Sequence, residues 1–172
     1  MPNKISKEIR ATIIEILPRL RRFGYTLTGS KEDGDDLTQA TLEKVLQKFD
    51  QWEPGTRLDS WMFRIAQNLW IDQMRRNKSR GQHVELENAA DITGVDGESI
   101  AESQLMLEKA QKAINSLPEE QRVVVALVSV DGLSYREAAD VLDVPVGTIM
   151  SRLARARKSL AKQLLQTTQY AK

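Results

Sequence analysis

Ser134-Tyr135-Arg136-Glu137-Ala138-Ala139-Asp140-Val141-Leu142-Asp143-Val144-Pro145-Val146-Gly147-Thr148-Ile149 reads as a short helix, a tight turn and the opening of a second helix. Ser134 and Glu137 have capping-box spacing: the serine hydroxyl accepts the Glu137 amide while the Glu137 carboxylate reaches back to the cap amide. Asp143-Val144-Pro145 is the turn, and two helices joined so tightly make a helix-turn-helix. Along the second helix Ile149, Leu153, Ala156 and Leu160 recur four, three and four apart, a buried seam. The opposite face carries Gly147, Ser151, Arg155, Lys158 and Lys162, with Arg152 and Arg157 flanking the seam. A small, polar, basic face of this kind enters the major groove, its first residues on base edges and its later cations on phosphates. A plain basic surface helix is the alternative; the capped helix, the turn and the basic helix occurring together favour DNA.

Upstream of this unit the same periodicity continues. A helix runs from Ala101 through Leu105, Leu107 and Ile114 to Leu117-Pro118, and another opens at Pro118 and ends near Asp131-Gly132, where glycine takes the left-handed cap. Before them, Ser79 to Glu102 holds Gly81, Gly94 and Gly97 and no sustained apolar period, the composition of a solvated linker. Earlier still, Ile5, Ile9, Ile13, Leu17, Leu20, Phe23 and Leu27 mark helical turns, with Pro18 expected to break or kink the run and Gly29 to end it. Ser30 and Asp33 can cap a helix lined by Leu37, Leu42, Val45, Leu46 and Phe49. Pro54-Gly55 marks a loop, in which Trp52 is either a lid over the core or a surface for a partner. The helix from about Leu58 to Asn77 is apolar round most of its circumference and belongs in the middle of a bundle. Its polar stripe, Ser60, Arg64, Asn68, Asp72 and Arg75, is either a solvated face or a working one. The expected fold is all-α: two small helical domains, residues 1–78 and 103–172, joined by a flexible acidic linker over 79–102.

The 172 residues carry a net charge of +1, which by itself argues against nucleic acid, but the sum hides a pattern. Lys and Arg number 14 against 11 acids in residues 1–78, 1 against 6 in 79–102 and 10 against 7 in 103–172, two basic lobes around an acidic strip. There is no cysteine and the single histidine is His83, which excludes disulfides and argues against a protein-built metal site. No apolar stretch approaches the roughly 20 residues of a membrane span and no secretory leader is apparent, so a cytoplasmic protein is expected. No carboxylate cluster with metal spacing, phosphate-cradling glycine loop or nucleophile with a histidine partner appears, so neither an enzyme nor a cofactor is expected. The remaining alternative is a stand-alone dimeric regulator with the same helix-turn-helix, which leaves the first lobe unexplained.

Leu133-Ser134-Tyr135-Arg136-Glu137-Ala138-Ala139, Val144-Pro145-Val146-Gly147-Thr148-Ile149 and Ser151-Arg152-Leu153-Ala154-Arg155-Ala156-Arg157 resemble region 4 of the extracytoplasmic function (ECF, group 4) sigma factors of the bacterial sigma-70 family. Asp35-Asp36-Leu37-Thr38-Gln39 is similar to region 2.2 of that family. Trp61-Met62-Phe63-Arg64-Ile65-Ala66-Gln67-Asn68-Leu69, with Ile71-Asp72 and Arg75-Arg76, is similar to its regions 2.3 and 2.4.

The resemblance implies a dissociable, monomeric subunit of bacterial RNA polymerase that binds promoter DNA and is held in check by an anti-sigma factor. It implies that Thr148, Ser151, Arg152, Arg155 and Lys158 meet the minus-35 element. Trp52, Arg57, Arg64, Asn68, Asp72, Arg75 and Arg76 would meet the minus-10 element, where a splayed base needs a pocket. Asp35, Asp36, Gln39 and Glu43 would dock on the polymerase, and the acidic linker would lie in a basic channel. Two positions depart from the family. Met150 stands where Lys or Arg is frequent, so an early contact of the recognition helix is either lost or turned apolar, toward a thymine methyl. Ala40 stands where Glu commonly follows the glutamine.

Overall fold

The computed structural model describes residues 5–81 and 99–169, and all regular structure among them is helical. The first helix, α1 (Lys7–Thr28), starts where the Ser6 hydroxyl accepts the Ile9 amide, and ends at Gly29, whose φ of 77° only glycine adopts freely. The expected break at Pro18 does not occur: α1 runs through it. Pro18 and Ile14, the residue whose carbonyl loses its partner, both face solvent, so water can take the place of the missing amide. Helix α2 (Lys31–Gln47) is capped by Ser30, whose hydroxyl accepts the Asp33 amide. It crosses α1 at two glycines. A Cβ on Gly24 would lie 2.8 Å from the Gly34 carbonyl oxygen, and one on Gly34 2.8 Å from the Tyr25 amide nitrogen, so the backbones meet with no room for side chains.

A 3₁₀ turn (Phe49–Gln51) leads into the loop before α3 (Leu58–Ser79), which lies centrally as its all-round apolarity predicts. Leu58, Met62, Phe63, Ala66 and Trp70 are buried, and the Phe63 ring meets Phe23 of α1 edge-on at 5.1 Å. Of the residues expected inside α2, Leu46 instead faces solvent, 57% exposed.

The second lobe begins with α4 (Ser99–Asn115) and continues with α5 (Glu119–Val124), which widens into π turns over Val125–Val130. Pro118 is the cap of α5 rather than its first helical residue. Leu105 and Leu107, which mark the expected helix, lie on α4 and are exposed. Helix α6 (Tyr135–Leu142) and α7 (Val146–Gln169) form the helix-turn-helix. Of the expected linker, residues 82–98 lie outside the described residues; its start belongs to the end of α3 and its last residues to α4.

The lobes share one continuous core. It runs from Phe23, Leu27 and Trp70 to Val123, Leu127, Ile149 and Leu153. Each such side chain, fully buried, contributes about 1.5–3 kcal/mol. Between the lobes sits Arg122, buried, its guanidinium 5.3 Å from the Trp70 ring centroid. It donates to the carbonyls of Leu27 at 3.0 Å and Leu117 at 3.2 Å, and to that of Asn115. Burial pushes its pKa below the usual arginine value, and nearby Glu119 opposes that shift.

Candidate nucleic-acid interface

Both halves of the capping box form: the Ser134 hydroxyl accepts the Glu137 amide at 3.1 Å, and Glu137 accepts the Ser134 amide at 2.7 Å. This fixes the start of α6. Its end is set by Asp143, in the left-handed region at φ 52°, which reverses the chain in a few residues. Pro145 then supplies the carbonyl that accepts the Thr148 amide at 2.9 Å as α7 begins. Ala138, Ala139 and Val141 of α6 pack with Ile149, Leu153 and Ala156 of α7, all buried, so the crossing of the two helices is held by apolar contact.

That packing turns Gly147, Met150, Ser151, Arg155, Lys158 and Lys162 outward, all exposed. Arg155 folds back along the face, its Nε donating to the Ser151 carbonyl at 3.3 Å. Thr148 is half-buried at the edge of this face. Arg152 is turned from it toward α5, where it pairs with Glu120 at 3.4 Å and keeps only 20% side-chain exposure. Met150 is 54% exposed, an apolar residue offered to solvent among polar ones.

On α3, Asn68, Asp72, Arg75 and Arg76 are exposed and share the outer side of the helix. Arg64 is not free. Its Nε donates to the Val141 carbonyl at 3.2 Å and its Nη2 to the Asp140 carbonyl, both at the end of α6. Trp52 lies half-buried against Phe49, ring centroids 5.6 Å apart, as a lid would. Its indole N–H is buried without a partner among the described residues. Arg57 and Arg19 share the Asp59 carboxylate at 2.7 and 3.0 Å. Burial pushes Asp59 up, but the hydrogen bonds from both arginines outweigh it and hold the carboxyl below 3.8.

On α2, Asp36, Gln39 and Glu43 are exposed on successive turns, and Gln39 Nε2 donates to Glu43 at 3.4 Å. Asp35 differs: Arg21 holds it through two hydrogen bonds of 2.9 and 3.2 Å and keeps its carboxyl below the ordinary value. The sequence reading missed Arg122 and Asp131, whose signal was their position bracketing the apolar run Val123–Val130, and Arg19 and Arg22, which nothing local distinguished.

The family model described as Sigma-70, region 4 matches residues 107–160, the segment that builds this helix-turn-helix, and the Sigma2 domain of PhyR matches residues 13–67. The ECF RNA polymerase sigma factor EcfG of Rhodopseudomonas palustris is 32% identical over 160 residues, 93% of this chain and 87% of the relative. The chain belongs to the ECF RNA polymerase sigma factors. SigE of Mycolicibacterium smegmatis, from the same family, is 35% identical over 159 residues, 89% of this sigma factor and 62% of SigE. Among solved structures, the sigma factor RpoE of Bartonella quintana, in complex with the anti-sigma factor NepR, is 32% identical with a TM-score of 0.75. The match spans 92% of this chain and 98% of that one. Among the described residues of this sigma factor, no helix is long and apolar enough to cross a membrane, and no group of three or more His, Cys, Asp or Glu is placed to hold a metal ion.

Proposed function

We propose that this sigma factor brings bacterial RNA polymerase core to its promoters, reading the minus-35 element with α7 and capturing the minus-10 strand with α3. The observation that carries the reading is the pair of separate outward faces on one chain: Ser151, Arg155 and Lys158 on α7, and Asn68, Asp72, Arg75 and Arg76 on α3. A duplex reader needs only the first. Asp36, Gln39 and Glu43 dock on the polymerase, and Asp35 acts through its pair with Arg21. The chain does no covalent chemistry and works in the cytoplasm as a monomer until it joins the enzyme. It traps the opened strand by holding the open state better than the closed one. The two lobes correspond to residues 1–78 and 103–172, and an anti-sigma partner, of the kind RpoE of Bartonella quintana is in complex with, holds the chain when it is idle.

Run-off transcription on a library of random promoter fragments, with core polymerase and with or without this protein, tests the reading. New start sites preceded by paired elements are expected. Tight binding of the chain to palindromic duplex without core-dependent initiation would replace it by a stand-alone regulator.

A further inference from the structure

Where the lobes meet, the ion pairs between them run one way, with cations from the first lobe and acids from the second. From α1, α3 and the residue that caps α3 come Arg19, Arg22, Arg57, Arg64 and Lys78. From the second lobe come Glu119, Asp131 and Glu137, and the last carbonyls of α6, the negative end of its dipole. Asp131, its side chain wholly buried, takes Arg19 at 2.7 Å and Arg22 at 2.9 Å. Lys78 meets Glu119 at 2.6 Å, Arg57 meets Glu137, and Arg64 meets the end of α6.

This packing cannot persist on a promoter. Elements at minus-10 and minus-35 lie roughly 85 Å apart at about 3.4 Å per base pair. A compact body of 172 residues is only about 40 Å across. The lobes therefore separate, and the cations of the first are left without these partners, Arg64 and Lys78 on the same helix as Asn68, Asp72, Arg75 and Arg76. We propose that this edge, with Arg22 and Lys78 as its outer members, is a binding surface for the backbone of the opened DNA strand, whose cations the free chain keeps paired with acids of its own helix-turn-helix lobe. Glu119, Asp131 and Glu137 stand where phosphates will, so opening the chain and loading the strand are one exchange of anions. The proposal rests on the promoter reading above, but the closed state and its charge latch are testable without polymerase.

The chain lacks cysteine, so the exposed positions Gln47→Cys and Ala161→Cys accept a donor and acceptor dye on opposite lobes of the full protein. Energy transfer is expected to be high at low salt and to fall as salt rises. Asp131→Asn, and Glu119→Gln as a second variant whose side chain is less buried, are expected to lower the salt at which it falls. Arg22→Gln with Lys78→Gln is expected to lower it equally. Binding of a labelled single-stranded 20-mer of mixed sequence then separates the two sides of the latch. The acid variants bind more tightly than the parent. The cation variant does not, and its plot of log affinity against log salt flattens by about 1.4, for two lost contacts on a single strand. The α7 face is present throughout, so the comparison isolates the edge. Energy transfer indifferent to both acid variants would overturn the latch. An unchanged salt slope in the cation variant would overturn the DNA surface. Failed run-off with these results intact would overturn only the promoter reading.

Discussion

Arg155 and Asn68 are the two side chains on which the functional reading is most exposed to test. Arg155 is held against its own helix by Ser151, a contact it can exchange for a base edge without moving the backbone. If it makes the bidentate contact its position allows, Arg155→Ala costs about 1–3 kcal/mol of affinity and relaxes specificity at one minus-35 position. A uniform loss on all sequences, measured by competition binding, would reassign it to phosphate. Asn68 stands exposed on α3, and Asn68→Ala is expected to cut the yield of open complex by about tenfold, the equivalent of one hydrogen bond of 1.4 kcal/mol, with core binding unchanged. A normal open-complex yield in a permanganate assay removes Asn68 from base capture. Both residues were legible in the sequence because helical period alone decides which side chains share a face. Arg152 was not: its turn toward Glu120 depends on how α5 and α7 pack, which no spacing within α7 contains.

At the scale of elements, legibility follows how local the cause is. The caps at Ser30 and Ser134 and the turn at Pro145 act within four residues and stand where the sequence places them. Ser134→Ala removes the cap of the short helix α6 and is expected to cost about 1 kcal/mol, read as a lower urea midpoint at constant slope. An unchanged midpoint would mean that apolar packing alone fixes α6. Gly34 has a non-local cause: it is small because α1 crosses there. Gly34→Ala gains helix propensity yet forces two backbones apart, so a net loss of about 1–3 kcal/mol is expected, and a gain in stability would show that the crossing can give. The same distinction explains the misreadings. Of the break or kink expected at Pro18 the break is absent, because Ile14 and Pro18 lie on the solvent side, where water can replace the missing amide. Leu46 was counted with the residues lining α2, yet it follows Val45 directly and points off the buried side.

For the whole molecule, the joining of the lobes was the least legible feature. It depends on pairs such as Arg22 with Asp131 and Arg122 with the Leu27 carbonyl, contacts between segments far apart in sequence with no local signature. Arg19 is central to it, spanning Asp59 in its own lobe and Asp131 in the other while its guanidinium lies 5.3 Å from the Phe63 ring centroid. This gives acid stability a definite sign. The Asp59 carboxyl has a folded pKa below its ordinary 3.8, so its contribution is fully present above that value and is lost as pH falls through the folded one. Unfolding by urea between neutral pH and about pH 3 should therefore show a steeper loss below about pH 4 in the parent than in Asp59→Asn, which has no proton to take up there. At neutral pH the variant is the weaker of the two, and the curves converge in acid. Parallel curves would mean that Arg19 and Arg57 find other partners when Asp59 is neutralised, and that the junction does not depend on this carboxylate.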